Sequence, residues 1–136
     1  MLGQNTICWR SRKQRCVSTS TTKAEYLALS TAAKQQVWLH SVLLELGQSM
    51  NNNPLMLHGD NKGTIELIKN PIISDRSKHI DVAYHYVREL YATKKLSVKH
   101  IPGVENPADI CTKALPAPRL AYLRKMIMRE ELPQAS

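Results

Sequence analysis

Ser20-Thr-Thr-Lys-Ala-Glu-Tyr-Leu-Ala-Leu29 is the stretch on which the fold reading turns. Thr22 followed by Glu25 has the spacing of a capping box, in which a hydroxyl and a carboxylate satisfy the first free amides of a helix. Downstream, Ala28, Ala32, Gln35, Leu39, Val42 and Leu46 recur at steps of four and three, which predicts one face of a long helix. Gly47 suits its C-terminal stop, because glycine adopts the left-handed conformation without steric penalty.

On the N-terminal side, residues 5–10 read as a short strand leading into a basic stretch, Arg10-Ser-Arg-Lys-Gln-Arg15. On the C-terminal side, Leu55-Met-Leu-His-Gly59 reads as a short buried strand ending at Asp60-Asn61. A brief helix over Thr64 to Lys69 comes next, closed by Asn70-Pro71. Ile80, Tyr84, Val87 and Tyr91 mark the apolar stripe of a further helix, and Leu96-Ser-Val-Lys-His100 alternates as a strand. Asn106-Pro107 has the cap-then-proline order of a new helix, and Arg119 to Glu131 reads as a basic terminal helix. Strands interleaved with helices predict an α/β protein. The expected organisation is one domain over residues 1–136, with 116–136 a basic helical extension.

Composition limits the function classes. Nineteen Lys and Arg against eleven Asp and Glu leave a net charge of +8, which favours a polyanionic partner or else a plain solvated surface. With no Phe and two Trp, the core is expected to rest on Leu, Ile, Val, Ala and Met. Cys8, Cys16 and Cys111 form no CxxC pair and are odd in number, which argues against a disulfide framework or structural zinc. No apolar run approaches the ~20 residues of a membrane span, and no signal peptide is evident. The expectation is an intracellular protein, cytoplasmic, nuclear or in virus-like particles, with no membrane partner.

Three carboxylates occupy special places: Glu25 in the first turn of the long helix, Asp60 at a strand's carboxyl end, and Asp109 just after the Asn106 cap. Strand ends and helix N-termini are where open α/β sheets gather functional groups. Hard cations such as Mg²⁺ take oxygen ligands, and carboxylates from separate elements can bridge two ions ~4 Å apart for phosphodiester hydrolysis. Each acid also has a plainer reading. Glu25 would be a capping-box residue, Asp109 an acid favoured by a helix dipole, and Asp60-Asn61 a turn.

A series of motifs adds to these readings: Trp9-Arg-Ser-Arg-Lys-Gln14, Ser20 to Leu29, Trp38-Leu39, Asp60-Asn61 and Asn70-Pro71. Arg76-Ser-Lys-His-Ile-Asp81, Tyr84-His-Tyr-Val-Arg-Glu89, Ile101-Pro-Gly103 and Ala108-Asp-Ile-Cys-Thr-Lys113 continue it. In this order the series resembles the ribonuclease H domain of copia-type LTR retrotransposon Pol polyproteins, over residues 3 to 127. The resemblance implies a ribonuclease H-like α/β fold, a mixed sheet flanked by helices, that cuts the RNA strand of RNA–DNA hybrids. It implies a two-metal Mg²⁺ site, with Mn²⁺ as a substitute, and places Glu25, Asp60 and Asp109 on the second, third and fourth acidic ligands. The family's first acid and first two strands have no counterpart in these 136 residues. The resemblance therefore implies a fold lacking two strands, a site one ligand short, and a chain that is inactive alone.

Further site residues are expected around these acids. Arg10, Arg12, Lys13, Arg15, Arg76, Lys78 and His79 are candidate phosphate contacts. Asn61 would bond a ribose 2′-hydroxyl or cap a helix. His100, in a Lys99-His100 and Glu105-Asn106 context similar to the functional histidine loop of cellular ribonucleases H, would serve as an acid-base group or as a packed strand histidine beside Leu96 and Val98. Expected partners are RNA–DNA hybrid or other nucleic acid, the reverse transcriptase portion of a polyprotein, and a strand-swapped second copy. Two rivals to a defective enzyme fragment are a non-catalytic nucleic-acid-binding module and an enzyme completed by another segment.

Overall fold

The computed structural model describes residues 6–11, 21–48, 53–70 and 81–128. Arg12, Lys13, Arg15, Arg76, Lys78 and His79 lie outside them, as do Cys16, Pro71, Ile80 and the end of the terminal helix beyond residue 128. The chain divides into two compact units, one of Cys16–Ile101 and one joining Met1–Arg15 to Pro102–Ser136.

The first unit is built as α1 (Thr21–Glu45), β1 (Leu55–Gly59), α2 (Lys62–Lys69), α3 (Asp81–Ala92) and β2 (Leu96–His100). β1 and β2 pair in parallel, Leu57 opposite Val98 and Gly59 opposite His100. Parallel neighbours need a crossover, which α2 and α3 supply. The α/β class thus holds, and among the described residues the sheet is parallel rather than mixed. Both strands have the expected bounds, but β1 is buried on one face only. Leu57 and Gly59 point into the core while Met56 and His58 are exposed.

α1 departs from the sequence reading in two ways. It begins at Thr21, so Thr22 lies inside the helix and Glu25 stands beyond the first turn, which contains no acid. The capping-box account of Glu25 fails for that reason. The buried face is also rotated, running through Tyr26, Leu29, Ser30 and Ala33 with Val37 packed beside it, while Ala28, Ala32, Gln35 and Leu46 are exposed. Residues 26 to 46 are apolar on most sides, so periodicity alone allows several stripes. Tyr26 is the largest side chain among the buried ones and sets the rotation. It is fully buried, its ring stacks on Tyr84 of α3 at a centroid distance of 4.1 Å, and its hydroxyl donates to the Tyr84 carbonyl at 3.1 Å.

The helix ends as expected. Gly47 has φ +73°, the Gln48 amide donates to the Leu43 carbonyl at 2.9 Å and the Gly47 amide to Leu44 at 3.0 Å, the paired bonds of a Schellman stop. Among the described residues the rest of the core is Leu57, Ile65, Ile68, Val87, Leu90, Leu96 and Val98, aliphatic as the composition suggested but without methionine. Met56, Met126 and Met128 are exposed.

α2 begins before the sequence reading had it because Asn61 caps it, its side chain accepting from the Thr64 amide at 3.0 Å. The fully buried Thr64 hydroxyl donates to the Thr22 carbonyl at 3.1 Å, tying α2 to the start of α1. Replacing Asn61 by Ala removes the acceptor and is expected to lower stability by about 1 kcal/mol. Urea denaturation checks this, and an unchanged midpoint would show that the cap contributes nothing.

In the second unit, residues 6–11 form no strand, with Ile7 43% and Trp9 77% exposed. Extended backbone needs a hydrogen-bonding neighbour to become a strand, and no strand among the described residues pairs with it. Two short 3-10 turns, Gly103–Glu105 and Pro107–Cys111, precede α4 (Ala117–Ile127). Asn106 caps the second turn at the Ala108 amide as its sequence predicts, but the expected α-helix there is this 3-10 turn. α4 starts two residues before Arg119, with Pro118 in the first turn where its missing amide costs nothing. Among the described residues no helix is long and apolar enough to cross a membrane, and Cys8 and Cys111 carry free thiols.

Candidate functional site

A glycine brings Glu25 to the end of the strand that precedes Asp60. β1 delivers its chain end against α1, and Gly59 packs so closely that a Cβ built there would stand 3.4 Å from Leu29 Cδ1 and 3.5 Å from Glu25 Oε1. The Glu25 carboxylate therefore lies beside the residue that immediately precedes Asp60. Both acids are partly exposed. Carboxylate oxygens are the donor type that a hard divalent cation such as Mg²⁺ takes.

The backbone at Asp60 is held from the neighbouring strand. The Ile101 amide donates to the Gly59 carbonyl at 3.0 Å, and His100 Nε2 lies 3.2 Å from the Asp60 carbonyl. His100 shares the face of Leu96 and Val98 but is only half-buried. Through this contact His100 clips the two strand ends together. Asn61 is likewise occupied as the α2 cap, which is one of its two expected roles.

Asp109 belongs to the other unit, and its surroundings differ in kind. It is 4% exposed. Oδ1 is paired with Lys113 Nζ at 2.7 Å and Oδ2 with Arg119 Nη2 at 2.6 Å. Asp109 as it stands is thus fully engaged by cations and does not fit a metal. Sequence reasoning missed both partners. Lys113 had a signal, since residues four apart in a helical turn face one another. Arg119, ten residues on, had none. The close approach at Gly59 also went unread, because the glycine looked like an ordinary strand end.

Among the described residues no group of three His, Cys, Asp or Glu side chains gathers at metal-binding spacing. Of the candidate phosphate contacts, Arg10 is described and exposed. The basic residues of α4, Arg124 and Lys125, are exposed as well.

Similarity to known proteins agrees with the motif series. The retrovirus-related Pol polyprotein from transposon TNT 1-94 of Nicotiana tabacum is 38% identical over 121 residues, which is 89% of this chain and 9% of that protein. Those from transposons RE2 and RE1 of Arabidopsis thaliana are each 36% identical, over 121 and 114 residues, or 89% and 84% of this chain and 8% of either protein. The homologues are thus retrovirus-related Pol polyproteins of plant transposons, and the chain spans less than a tenth of their length. No protein-family model and no solved structure matches it.

Proposed function

We propose that this segment is the ribonuclease H part of a retrotransposon Pol polyprotein, with a ribonuclease H-like fold, acting on the RNA strand of RNA–DNA hybrids. The observation that carries the reading is the placement of the Glu25 carboxylate beside Gly59, at the carboxyl end of a parallel strand and next in the chain to Asp60. Similarity to plant Pol polyproteins supports the same reading, because copying RNA into DNA leaves a hybrid whose RNA strand has to be removed.

Glu25 and Asp60 would hold the divalent cation, Mg²⁺ or Mn²⁺. Asp109 is the further acid that the resemblance adds. When bound, the metal supplies an activated water and neutralises the leaving oxygen. The protein's own residues set the stage for that chemistry. Gly59 admits the Glu25 carboxylate, His100 and the Ile101 amide fix the backbone on either side of Asp60, and Asn61 anchors α2 directly after it. Arg10 and the basic residues near it, together with Arg76, Lys78 and His79, would neutralise phosphates along the hybrid without reading its sequence. A metal pair takes more oxygen ligands than two carboxylates provide, so full activity calls for further donors, from a neighbouring polyprotein segment or a second copy.

A non-catalytic nucleic-acid-binding module is the second reading. It is favoured by the net charge of +8 and by the cations that occupy Asp109. Titration with MnCl₂, read as paramagnetic broadening of the Asn61 amide, separates the two. The enzyme reading expects broadening that disappears in both Glu25→Gln and Asp60→Asn. It also expects that the chain, joined to a segment bearing a further acidic strand, cleaves hybrid in Mg²⁺ and that either substitution removes cleavage. Hybrid binding with no Asp60-dependent response to Mn²⁺ would leave only the binding module.

A further inference from the structure

Trp9 stands 77% exposed in a segment that forms no strand. A single exposed apolar side chain needs no explanation, whereas several in one unit mark a binding surface. Trp9 has such company. The Thr6 hydroxyl donates to the Ile127 carbonyl at 3.0 Å, which holds the start of this segment at the C-terminal end of α4, within the same unit. Leu123 is the buried residue of α4. Tyr122 and Met126, four positions apart on one flank of the helix, are exposed, and so is Met128 after them.

The charge around these side chains has one sign. Residues 6–11 and 117–128 contain Arg10, Arg119, Arg124 and Lys125 and no acid. Arg119 is committed to Asp109, while Arg10 and Lys125 are exposed, the latter between Tyr122 and Met126 on the same flank. Aromatic planes beside cations match a ligand that carries both phosphates and flat rings. An acidic peptide would pair with the cations and leave the indole unused. In a duplex each base plane is covered by its neighbours in the stack, out of reach of an indole. In a single strand the planes are open.

We infer that Trp9, Arg10 and the exposed flank of α4 form a surface for single-stranded nucleic acid, with a base stacked on the Trp9 indole and phosphates on Arg10 and Lys125. Removing the RNA strand of a hybrid leaves a single DNA strand, so the ligand of this surface is a product of the proposed reaction. That last step rests on the proposed function, and the surface itself does not.

The test uses the whole chain and an oligo(dT) of about 15 nucleotides, a length within the span of known single-strand sites. Trp38→Phe leaves Trp9 as the remaining indole. Its emission is expected to fall when oligo(dT) binds and to stay unchanged when the same strand is added as a duplex with oligo(dA). Trp9→Ala should weaken oligo(dT) binding about tenfold, equivalent to ~1.4 kcal/mol, the scale of one base stack. Trp9→Phe, which keeps a ring, should recover most of that loss, as a change in overall charge or folding would not. Lys125→Gln should lower the log–log salt slope for oligo(dT) by about 0.7. Unchanged Trp9 emission overturns the inference, and so does equal affinity of wild type and Trp9→Ala. Trp9 emission that responds to phosphatidylserine vesicles and not to oligo(dT) gives the surface to a lipid and overturns it as well. The two readings fail separately. A silent Trp9 in a chain whose Asn61 amide shows the Asp60-dependent response to Mn²⁺ rejects this surface and leaves the enzyme reading standing. Quenching by oligo(dT) in a chain whose Asn61 amide ignores Mn²⁺ does the reverse.

Discussion

Tyr26→Ala is expected to lower stability by about 3–5 kcal/mol, the range for deleting a large buried aromatic side chain. For a domain whose whole margin is ~5–15 kcal/mol, that is enough to unfold much of the population at moderate temperature. Three losses coincide at this position: a fully buried ring, its stack on Tyr84, and the hydroxyl bond to the Tyr84 carbonyl. Tyr26→Phe isolates the last of them and should cost about 1 kcal/mol. The pair also carries a pH signature. Burial pushes the Tyr26 hydroxyl well above the ordinary tyrosine range, with the Tyr84 hydroxyl adding to the shift. The folded state therefore favours the neutral form. Its contribution is complete below the unfolded value of ~10 and is lost as pH rises through that value toward the folded one. Urea denaturation at neutral pH checks the first effect, and its repetition at rising alkaline pH checks the second. Tyr84 is shifted upward by its own burial and contributes in the same direction, so Tyr26→Phe should flatten the alkaline decline without abolishing it. A Tyr26→Ala protein within about 1 kcal/mol of wild type, no more than a single hydrogen bond contributes, would show that the tyrosine stack is not the centre of this core.

Tyr26 also shows where the sequence was legible. Element type and order came from local signals: both strands have the expected bounds, Gly47 stops α1, Asn61 caps α2, and Asn106 caps the turn before α4. These features depend on residues only a few positions apart, so a linear reading reaches them. The rotation of α1 does not depend on such neighbours. It is set by contact with Tyr84, 58 residues away, and a helix apolar on most sides gives no local hint of which stripe turns inward. The strand expected near Trp9 failed for a related reason, since alternation shows the capacity to pair and not the presence of a partner.

The candidate site divides along the same line. Glu25, Asp60 and Asp109 were singled out by their positions on helix starts and strand ends. The contacts each of them makes were not visible. The approach of Glu25 to Gly59 spans 34 positions in the chain, and the Arg119 contact with Asp109 crosses a turn with no periodic relation between the two residues. A capping-box spacing pointed to a bland role for Glu25. The structure removes that role by starting the helix earlier, and leaves the carboxylate at a strand end instead.

Asp109→Ala is expected to destabilise the unit that contains α4 by about 3 kcal/mol, more than any single change to its partners. The asymmetry comes from the groups each deletion leaves behind. Removing the acid strands a partly buried guanidinium in the first turn of α4, where the helix dipole already opposes it, and leaves Lys113 nearby with no counter-charge. Removing Arg119 instead leaves Asp109 with Lys113, so Arg119→Met should cost only about 1 kcal/mol. Because Arg119 is 31% exposed, water screens part of the stranded charge and keeps the first figure below the extreme for fully buried pairs. Asp109→Ala/Arg119→Met removes the stranded charge along with the acid. It should therefore be more stable than Asp109→Ala alone, although it carries one more substitution. Hydrogen exchange at the α4 amides, measured on all three variants and wild type, closes the double-mutant cycle. If the two single costs simply add, the ion pair contributes no coupling to the stability of this unit. If the double variant recovers stability relative to Asp109→Ala, Arg119 is held in place by the acid rather than by its own helix.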